Sequence, residues 1–369
     1  MAKRVVIIRS DSGVRDSRLQ KELRMLVEAG FETTLLGWDR EREQPKREIK
    51  DGYRIHRCHI RAKYGSKKLF LTMPLWWIYE FFFLLVHRFD AIHACDFDTV
   101  VPALLIKSIK RTPVIYDIYD FYAAKSRTVP APMRRFFGAA EQMCARWADA
   151  VVIVDASRAY LFGERPPKDF VVAMNCPYDS VDSSWRKPAN GPLTIFYGGA
   201  IATFRGIEKL VELTRDLDGV RVVLAGWITN DKYRALIDGA PHVEYLGMVS
   251  YPEALKRTYE CDAVYSYYDP VHEINRTANS SKMFDAFMCA TAVLANGEPP
   301  AAKVVADREC GSLLPFEDDE GLRDVILRWR DDREEAQRLG RNGRRLFEEE
   351  LNWEAAAEKI MGLYRRLGL

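Results

Sequence analysis

A short polar stretch opens an otherwise apolar part of the chain. The segment NRTANSSKMFDAFMCATAVLAN, residues 275–296, has the pattern of a buried helix followed by a strand. Ser280, Ser281 and Lys282 stand where the helix begins, and Asp285 follows one turn later. Free N–H groups and the helix dipole attract phosphate at such an end, and a nearby carboxylate suits a sugar hydroxyl. The alternative is a simple helix cap with a Lys282–Asp285 ion pair.

A second candidate phosphate site follows the strand-like run IFYG. Gly198 and Gly199 end this run, and Arg205 and Gly206 open the next helix. Glycines after a strand let a phosphate approach the backbone, and a guanidinium can bind two phosphate oxygens at once. The alternative is a tight turn beside a surface arginine.

The first strand–helix turn of the chain, RSDSGVRDSRLQKEL, carries Gly13 and Arg15. It has a single glycine and lacks the GxGxxG pattern of dinucleotide-binding turns, which argues against an NAD enzyme. This loop either contacts a substrate or only caps the helix that follows.

Acidic and aromatic residues accompany two further strand-like runs, IHACDFD and YDIYDFY. Because parallel strands end at one edge of a sheet, we expect their polar side chains to lie close together; these are His93, Asp96, Asp117, Tyr119 and Asp120. Asp117 and Asp120 would orient substrate hydroxyls, unless these acids only cap the next helices.

Apolar runs alternate with helical patterns along the whole chain, as expected for parallel sheets covered on both faces. The alternation lapses in CPYDSVDSSWRKPANGP, which is typical of a linker. We therefore predict an α/β protein with two doubly wound Rossmann-like domains, residues 1–176 and 193–351, joined by a linker at 177–192. Ligands of such sheets bind at the carboxyl ends of strands, so a site is expected in a cleft that the two domains face.

Composition narrows the function and the location. The 369 residues carry a net charge of +2, so no global charge signal points to nucleic acid. Seven scattered cysteines without a CxxC pair fit a reducing compartment and give no zinc site. The opening MAKRVVIIRSDSG has too short an apolar run for a signal peptide. We expect a cytoplasmic protein.

The most apolar stretch, residues 67–89, leaves two interpretations open. Pro74 and Glu80 interrupt it, which argues against a membrane-spanning helix, since such a helix needs about 20 apolar residues. A basic run at 54–68 precedes it, and basic residues followed by aromatic ones suit an anionic membrane surface. The segment 54–89 is either a buried helix preceded by a solvated basic face or a peripheral contact with the inner face of the membrane. The two interpretations are compatible if one face of the helix is buried and the opposite face contacts the membrane.

The motifs, in their order and spacing, resemble those of the family 4 glycosyltransferases, which have the GT-B fold. FDAIHACD is similar to the family's DvvHahd, PVIYDIYD to its pvvyDvHD, and FRGIEKLVE to its KGid.Ll.A. NWEAAAEKIMGLYRRL is similar to its closing sWe..a..l..lY. The helix at 282 resembles a subgroup pattern, N..a.PnKlfEymaaG.PVia, with Asp285 in place of Glu. The resemblance covers essentially the whole chain.

The resemblance implies a retaining glycosyltransferase that moves a sugar from a nucleotide sugar to an acceptor hydroxyl, here a glycan or lipid-linked acceptor. The C-terminal domain would bind the donor, the N-terminal domain the acceptor, and a last helix at about 352–369 would cross back. No metal or other cofactor is expected. The implied donor-binding residues are Gly199, Arg205, Gly247, Val249, Ser280, Ser281, Lys282 and Asp285. The implied catalytic residues are Asp117, Tyr119 and Asp120, and the implied acceptor-binding residues are Gly13, Arg15, His93 and Asp96.

The chain departs from the family pattern at four positions. Ala200 replaces a phosphate-binding arginine, Thr277 the first glutamate of the helix motif, Tyr119 a histidine and Ala290 a glycine. Two other functions stay open beside transfer: a nucleotide-sugar-processing enzyme such as an epimerase on the same fold, and a non-catalytic nucleotide-sugar-binding protein.

Overall fold

The computed structural model describes residues 2–14, 16–62, 69–122, 131–188, 190–272, 275–276, 278 and 280–369. It divides into two compact units, one formed by Met1–Asn175 with Ala356–Leu369 and the other by Cys176–Ala355. Arg15 and the basic residues Lys63, Lys67 and Lys68 lie outside the described residues.

The sheet of the first unit is built from short apolar runs that are buried on both faces. Its strands are β1 (Arg4–Arg9), β2 (Glu32–Trp38), β3 (Arg47–Lys50), β4 (Tyr53–Cys58), β5 (Ala91–Cys95), β6 (Val114–Ile118), β7 (Ala150–Ile153) and β8 (Phe170–Val172). Their order is β3-β4-β2-β1-β5-β6-β7-β8. All pairs are parallel except β3–β4, a hairpin closed by Asp51 and Gly52, both with positive φ. The strand order reverses between β1 and β5.

Helices cover this sheet because their apolar faces repeat at helical spacing. They are α1 (Ser17–Glu28), α2 (Leu69–Val86), α3 (Phe97–Lys110) and α4 (Ala131–Trp147). Trp76 of α2 is fully buried and stacks on Trp38, while Leu75 and Phe82 on the same helix are more than half exposed. Helix α2 therefore buries one face and exposes another. No helix in the described part of the chain has both the length and the apolar character needed to cross a bilayer.

The second unit repeats the plan with a smaller, wholly parallel sheet. Its strands are β9 (Leu193–Gly198), β10 (Val220–Ala225), β11 (Val243–Tyr245), β12 (Ala263–Ser266), β13 (Ala292–Asn296) and β14 (Gly311–Leu314), in the order β11-β10-β9-β12-β13-β14. The order reverses between β9 and β12, the position where ligands bind in doubly wound sheets. The prediction of two doubly wound α/β domains is confirmed.

The helices that follow these strands fix the polar residues at the sheet edge. They are α5 (Ile207–Thr214), α6 (Asp231–Asp238), α7 (Tyr251–Glu260), α8 (Ser281–Met288), α9 (Lys303–Asp307), α10 (Asp319–Asp331), α11 (Arg333–Glu349) and α12 (Trp353–Arg366). Residues 177–188 and 190–192, from the predicted linker, contain no helix or strand and group with this unit. From Ala356 onward, α12 groups with the first unit.

Candidate functional site

A row of glycines forms the carboxyl edge of the second sheet. The N–H of Gly199 donates to Ala225 O at 2.8 Å, and the N–H of Gly226 donates to Gly247 O at 2.8 Å. Gly199 and Gly226 have φ of 143° and 131°, and a Cβ at Gly226 would overlap the Gly199 carbonyl oxygen. Only glycine fits such an approach. Three strand ends therefore present bare backbone to any ligand at this edge.

Two cations lie beside the glycine row and rest on tyrosine rings. The Lys282 Nζ is 4.9 Å from the ring centroid of Tyr197 and 5.6 Å from that of Tyr268. The Arg205 Cζ is 4.6 Å from the Tyr268 centroid. Among the described residues, neither cation has an ion-pair partner within 4.0 Å. The strand ends, the 3-10 turn at Thr203–Arg205 and α8 thus bring unneutralised positive charge to one place.

The pKa of Tyr268 is affected by these two cations. Burial alone would raise the pKa of the phenol, but Lys282, a hydrogen bond with Ser280 and Arg205 together bring that pKa below its ordinary value. A buried phenol whose pKa is lowered despite its burial indicates a positive surrounding. The arrangement is suited to bind a multiply charged anion such as a diphosphate.

Helix α8 begins at this edge, and its N-cap is not closed by its own side chain. Ser280 occupies the cap position but makes no side-chain capping bond; its hydroxyl instead accepts from Ser266 Oγ at 2.8 Å. The first N–H groups of a helix have no intrahelical partner. The amides of Ser281 and Lys282 therefore remain suited to bind an anion. The alternative prediction, a helix cap formed by these polar side chains, is wrong for Ser280.

Asp285 is held by a residue of a neighbouring helix. The Tyr251 phenol, at the first position of α7, donates to Asp285 Oδ1 at 2.8 Å. Burial raises the pKa of Asp285 to about 6, although the Tyr251 hydrogen bond and Lys282 act in the opposite direction. Lys282 and Asp285 form no ion pair, so the predicted pairing of these two residues is also wrong.

The loop after β11 continues the same edge. Tyr245 Oη donates to Gly226 O at 2.7 Å, which ties this loop to the glycine row. Gly247 has φ of 71°, and the neighbouring Met248 and Trp227 expose more than half of their side-chain surface. Val249 is half-buried beside them. Exposed apolar side chains next to a polar edge can stack on a flat ring such as a nucleobase.

In the first unit, Asp96 occupies the point where the strand order reverses. It has φ of 68°, a strained value for a residue with a Cβ. Its carboxylate accepts from Tyr119 N at 2.9 Å and Asp120 N at 3.1 Å and is paired with Arg9. Burial raises the pKa of Asp96 despite Arg9. Asp96 thus fixes the backbone that carries Tyr119 and Asp120.

A buried polar network lies directly behind that edge. Arg18 Nη2 donates to Asp117 at 3.1 Å, and His93 Nε2 lies 3.3 Å from the same carboxylate. His93 Nδ1 lies 2.8 Å from Tyr364 Oη of α12. The Tyr119 phenol donates to Glu22 at 2.6 Å. Unpaired charges at such depth are costly, so removal of one partner from this network should destabilise the folded unit.

The predicted residues of the first unit therefore separate into two groups. His93 and Asp117 lie within β5 and β6, not beyond them, and both are wholly buried. Asp96, Tyr119 and Asp120 lie at the edge itself. Substrate binding and catalysis by all five stay predictions. Gly13 has φ of 80° in the loop after β1, where a Cβ would crowd Leu35.

Glu22, His93 and Cys95 place possible metal ligand atoms within 4.8 Å of one another. Both ring nitrogens of His93 are already hydrogen bonded. Burial raises the pKa of Glu22 and of the Cys95 thiol well above their ordinary values, which favours their neutral forms. Because hydrogen bonds within the buried network hold both His93 and Glu22, we interpret the cluster as part of that network.

Several residues of the second-unit edge carry no strong signal in the sequence. Gly226 follows an apolar run in the same way as Gly199, so the rule that a glycine after a strand lets a ligand approach the backbone could have identified it. Tyr197, Tyr268 and Tyr251 had no such signal, because a tyrosine near a strand or helix end is usually part of the core.

Two family models match the chain, a glycosyl transferase 4-like domain over residues 17–172 and a glycosyl transferase-like domain over residues 205–362. A sucrose-phosphate synthase from Thermosynechococcus elongatus has a similar structure, with 17% identity and a TM-score of 0.73 over 99% of each chain. Alr3699/HepE from Anabaena, in complex with UDP, has 13% identity and a TM-score of 0.71 over 99% of this chain and 100% of that one. WaaG, a glycosyltransferase involved in lipopolysaccharide biosynthesis, has 13% identity and a TM-score of 0.62 over 96% and 98%. No curated protein matches the chain.

Proposed function

The chain belongs to the GT-B glycosyltransferase family, and from that premise we propose that it transfers a sugar, with retention of anomeric configuration, from a nucleotide sugar to a lipid-linked or membrane-associated acceptor. The similarity to family 4 motifs supports retention. The UDP complex of the Anabaena protein supports a nucleotide-sugar partner.

The observation that carries the donor assignment is the pair of cations beside the glycine row. In this proposal Arg205 and Lys282 bind the donor diphosphate, with the amides at the start of α8. Asp285 accepts from the ribose, and the loop at Gly247 and Val249 lies against the base. Because two side-chain cations and a helix N-terminus neutralise the leaving diphosphate, we expect turnover without a metal ion.

Slow hydrolysis of a nucleotide sugar in the absence of acceptor tests the reaction. The full chain is incubated with UDP-glucose, GDP-mannose or ADP-glucose, each with an α-linked sugar, and the first sugar released is observed by ¹H NMR. Retention predicts that the α-anomer appears first and that EDTA does not change the rate. Initial release of the β-anomer would contradict retention. Binding of a nucleotide sugar with no release at all would favour a non-catalytic binding protein.

We place the acceptor chemistry at the edge of the first unit, at Asp120, next to Tyr119, whose phenol donates to Glu22 behind that edge. Asp96 accepts from the backbone amides of both residues and so fixes the backbone that carries Asp120. Asp120→Asn should lower kcat more than it weakens donor binding, because it acts on the acceptor or the transition state. Equal turnover of the variant and the wild type would remove Asp120 from the mechanism.

Exposed apolar stripes on α2, α3 and α4 support a membrane-associated acceptor. Helix α3 packs against both of the other helices, and each exposes large apolar side chains at helical spacing. These residues are Leu75, Ile78, Phe82 and Val86 on α2, Leu105 and Ile109 on α3, and Phe136, Met143 and Trp147 on α4. Exposed arginines lie on or beside the same helices, at positions 88, 111, 134, 135 and 146. An apolar surface with flanking cations fits an anionic bilayer surface.

Vesicle co-sedimentation tests this part of the proposal. We expect binding to vesicles that contain phosphatidylglycerol, no binding to pure phosphatidylcholine, and weaker binding at high salt. The double variant Phe82→Glu/Phe136→Glu should abolish binding. Ile49→Glu is the matched control, because Ile49 is 77% exposed but lies on the edge strand β3 and on none of these three helices. Failure of the wild type to bind anionic vesicles would point to a soluble acceptor.

A further inference from the structure

We infer that Tyr251 is a positioning residue of the donor site, which orients Asp285 and with it recognises the 2′,3′-diol of a ribonucleotide sugar. The inference rests on the proposed function, because it places a nucleotide sugar at the carboxyl edge of the second sheet.

The contact between the two residues is not a result of core packing. Tyr251 is the first residue of α7, and Ser250 fixes the start of that helix by accepting from Glu253 N at 3.4 Å. The Tyr251 side chain is 53% exposed, yet its phenol donates to Asp285 Oδ1 at 2.8 Å. Holding an exposed side chain in one rotamer costs conformational entropy. The hydrogen bond to Asp285 offsets this cost and holds the two side chains in a fixed relative orientation.

The pair offers two hydrogen-bond acceptors side by side. The phenol hydrogen is used on Asp285 Oδ1, so the Tyr251 oxygen can only accept from a ligand. Among the described residues, no donor bonds Asp285 Oδ2. A vicinal diol has two O–H donors, one for each of these oxygens. A 2′-deoxyribose lacks one of them, so the pair should favour ribonucleotides.

Tyr251 also affects the charge of Asp285. The groups that face this carboxyl group are Tyr251 from α7, and Lys282 and the buried Cys289 thiol at the two ends of α8. Burial raises the pKa of Asp285, and the phenol hydrogen bond opposes that rise. Removal of the phenol should therefore raise the pKa further. Donor binding needs the carboxylate, so affinity is lost as the pH is lowered. In the variant this loss should begin at a higher pH than in the wild type.

The experiment measures the affinity of the full chain between about pH 5 and pH 8 for UDP-glucose, GDP-mannose and ADP-glucose and for their 2′-deoxyribose forms. Their internal diphosphates do not titrate in this range, so the pH profile reports the protein. Tyr251→Phe should weaken the best-bound ribonucleotide sugar about three- to tenfold at pH 8. It should also move the midpoint of the pH profile upward and reduce the preference for ribose over deoxyribose. Tyr259→Phe is the control, because this tyrosine lies on the same helix but donates to Trp185 O at 3.3 Å.

The possible failures are distinguishable. Wild-type affinity, midpoint and ribose preference in Tyr251→Phe would overturn the role of Tyr251 and leave the donor site standing. Equal binding of ribose and deoxyribose forms by the wild type would overturn diol recognition. Binding of none of the nucleotide sugars by the wild type would overturn the proposed function as well.

Discussion

Replacing Lys282 by methionine should weaken donor binding strongly and leave the fold intact. The ammonium group lies over Tyr197 and Tyr268 and has no ion-pair partner among the described residues, so its removal leaves no carboxylate unpaired. A charged hydrogen bond to phosphate contributes about 1.5–3 kcal/mol, which corresponds to a roughly 10- to 150-fold rise in Kd.

The same substitution has a second effect that can be measured without donor. Lys282 is the main neighbour that lowers the pKa of Tyr268 against the effect of burial. The variant should therefore raise the pKa of this phenol, which ultraviolet titration can detect in a difference between the two proteins. Lys256→Met is the matched control, because this exposed lysine of α7 is paired with Glu260 at 3.9 Å and is not among the residues assigned to the donor site. A Lys282→Met protein that is folded and binds nucleotide sugar as tightly as the wild type would refute the assignment.

Three further predictions concern stability, and urea unfolding tests each of them. Arg18→Met should destabilise the protein by about 3–5 kcal/mol, because it leaves two buried carboxyl groups without their cation. Arg24→Met is the control: it removes an exposed ion pair on the same helix and should change stability by less than about 1 kcal/mol. Ala290→Gly should stabilise by about 0.5–1 kcal/mol, because Ala290 has φ of 52°; a loss of stability would show that this conformation is not strained. Burial and the nearby Asp98 raise the pKa of Glu80 well above its ordinary value, so folding favours the neutral acid. The free energy of unfolding therefore falls as the pH rises from the ordinary pKa of a glutamate to the raised one. Glu80→Gln should remove this fall and should be more stable than the wild type above neutral pH.

Much of the fold could be predicted because apolar runs of strand length alternate with helical patterns. The hairpin β3–β4 was missed, although Asp51–Gly52 is the usual sequence signal for a tight hairpin turn. Its strands are short and rich in charge, so periodicity gave little support. The two faces of α2 were left open by the sequence, since exposure depends on which neighbours pack against the helix.

The site could be predicted where local backbone rules apply. Gly199, Arg205 and Lys282 follow from the rule that ligands bind at strand ends and helix N-termini, and the structure brings them together. His93 and Asp117 satisfied the same rule in sequence but lie inside strands. Their burial depends on Arg18 from α1 and on a tyrosine from α12, partners that are distant in sequence and come together only in the folded unit.

Hydrogen–deuterium exchange of the full chain with and without nucleotide sugar tests the donor site most directly. With UDP-glucose, GDP-mannose or ADP-glucose at saturating concentration, we predict slower exchange in peptides that cover residues 197–206, 225–227, 246–251 and 280–288, and this protection should be reduced in Lys282→Met. Protection confined to other segments, or none with any of the three nucleotide sugars, would contradict the claim that the glycine row and its two cations bind the donor.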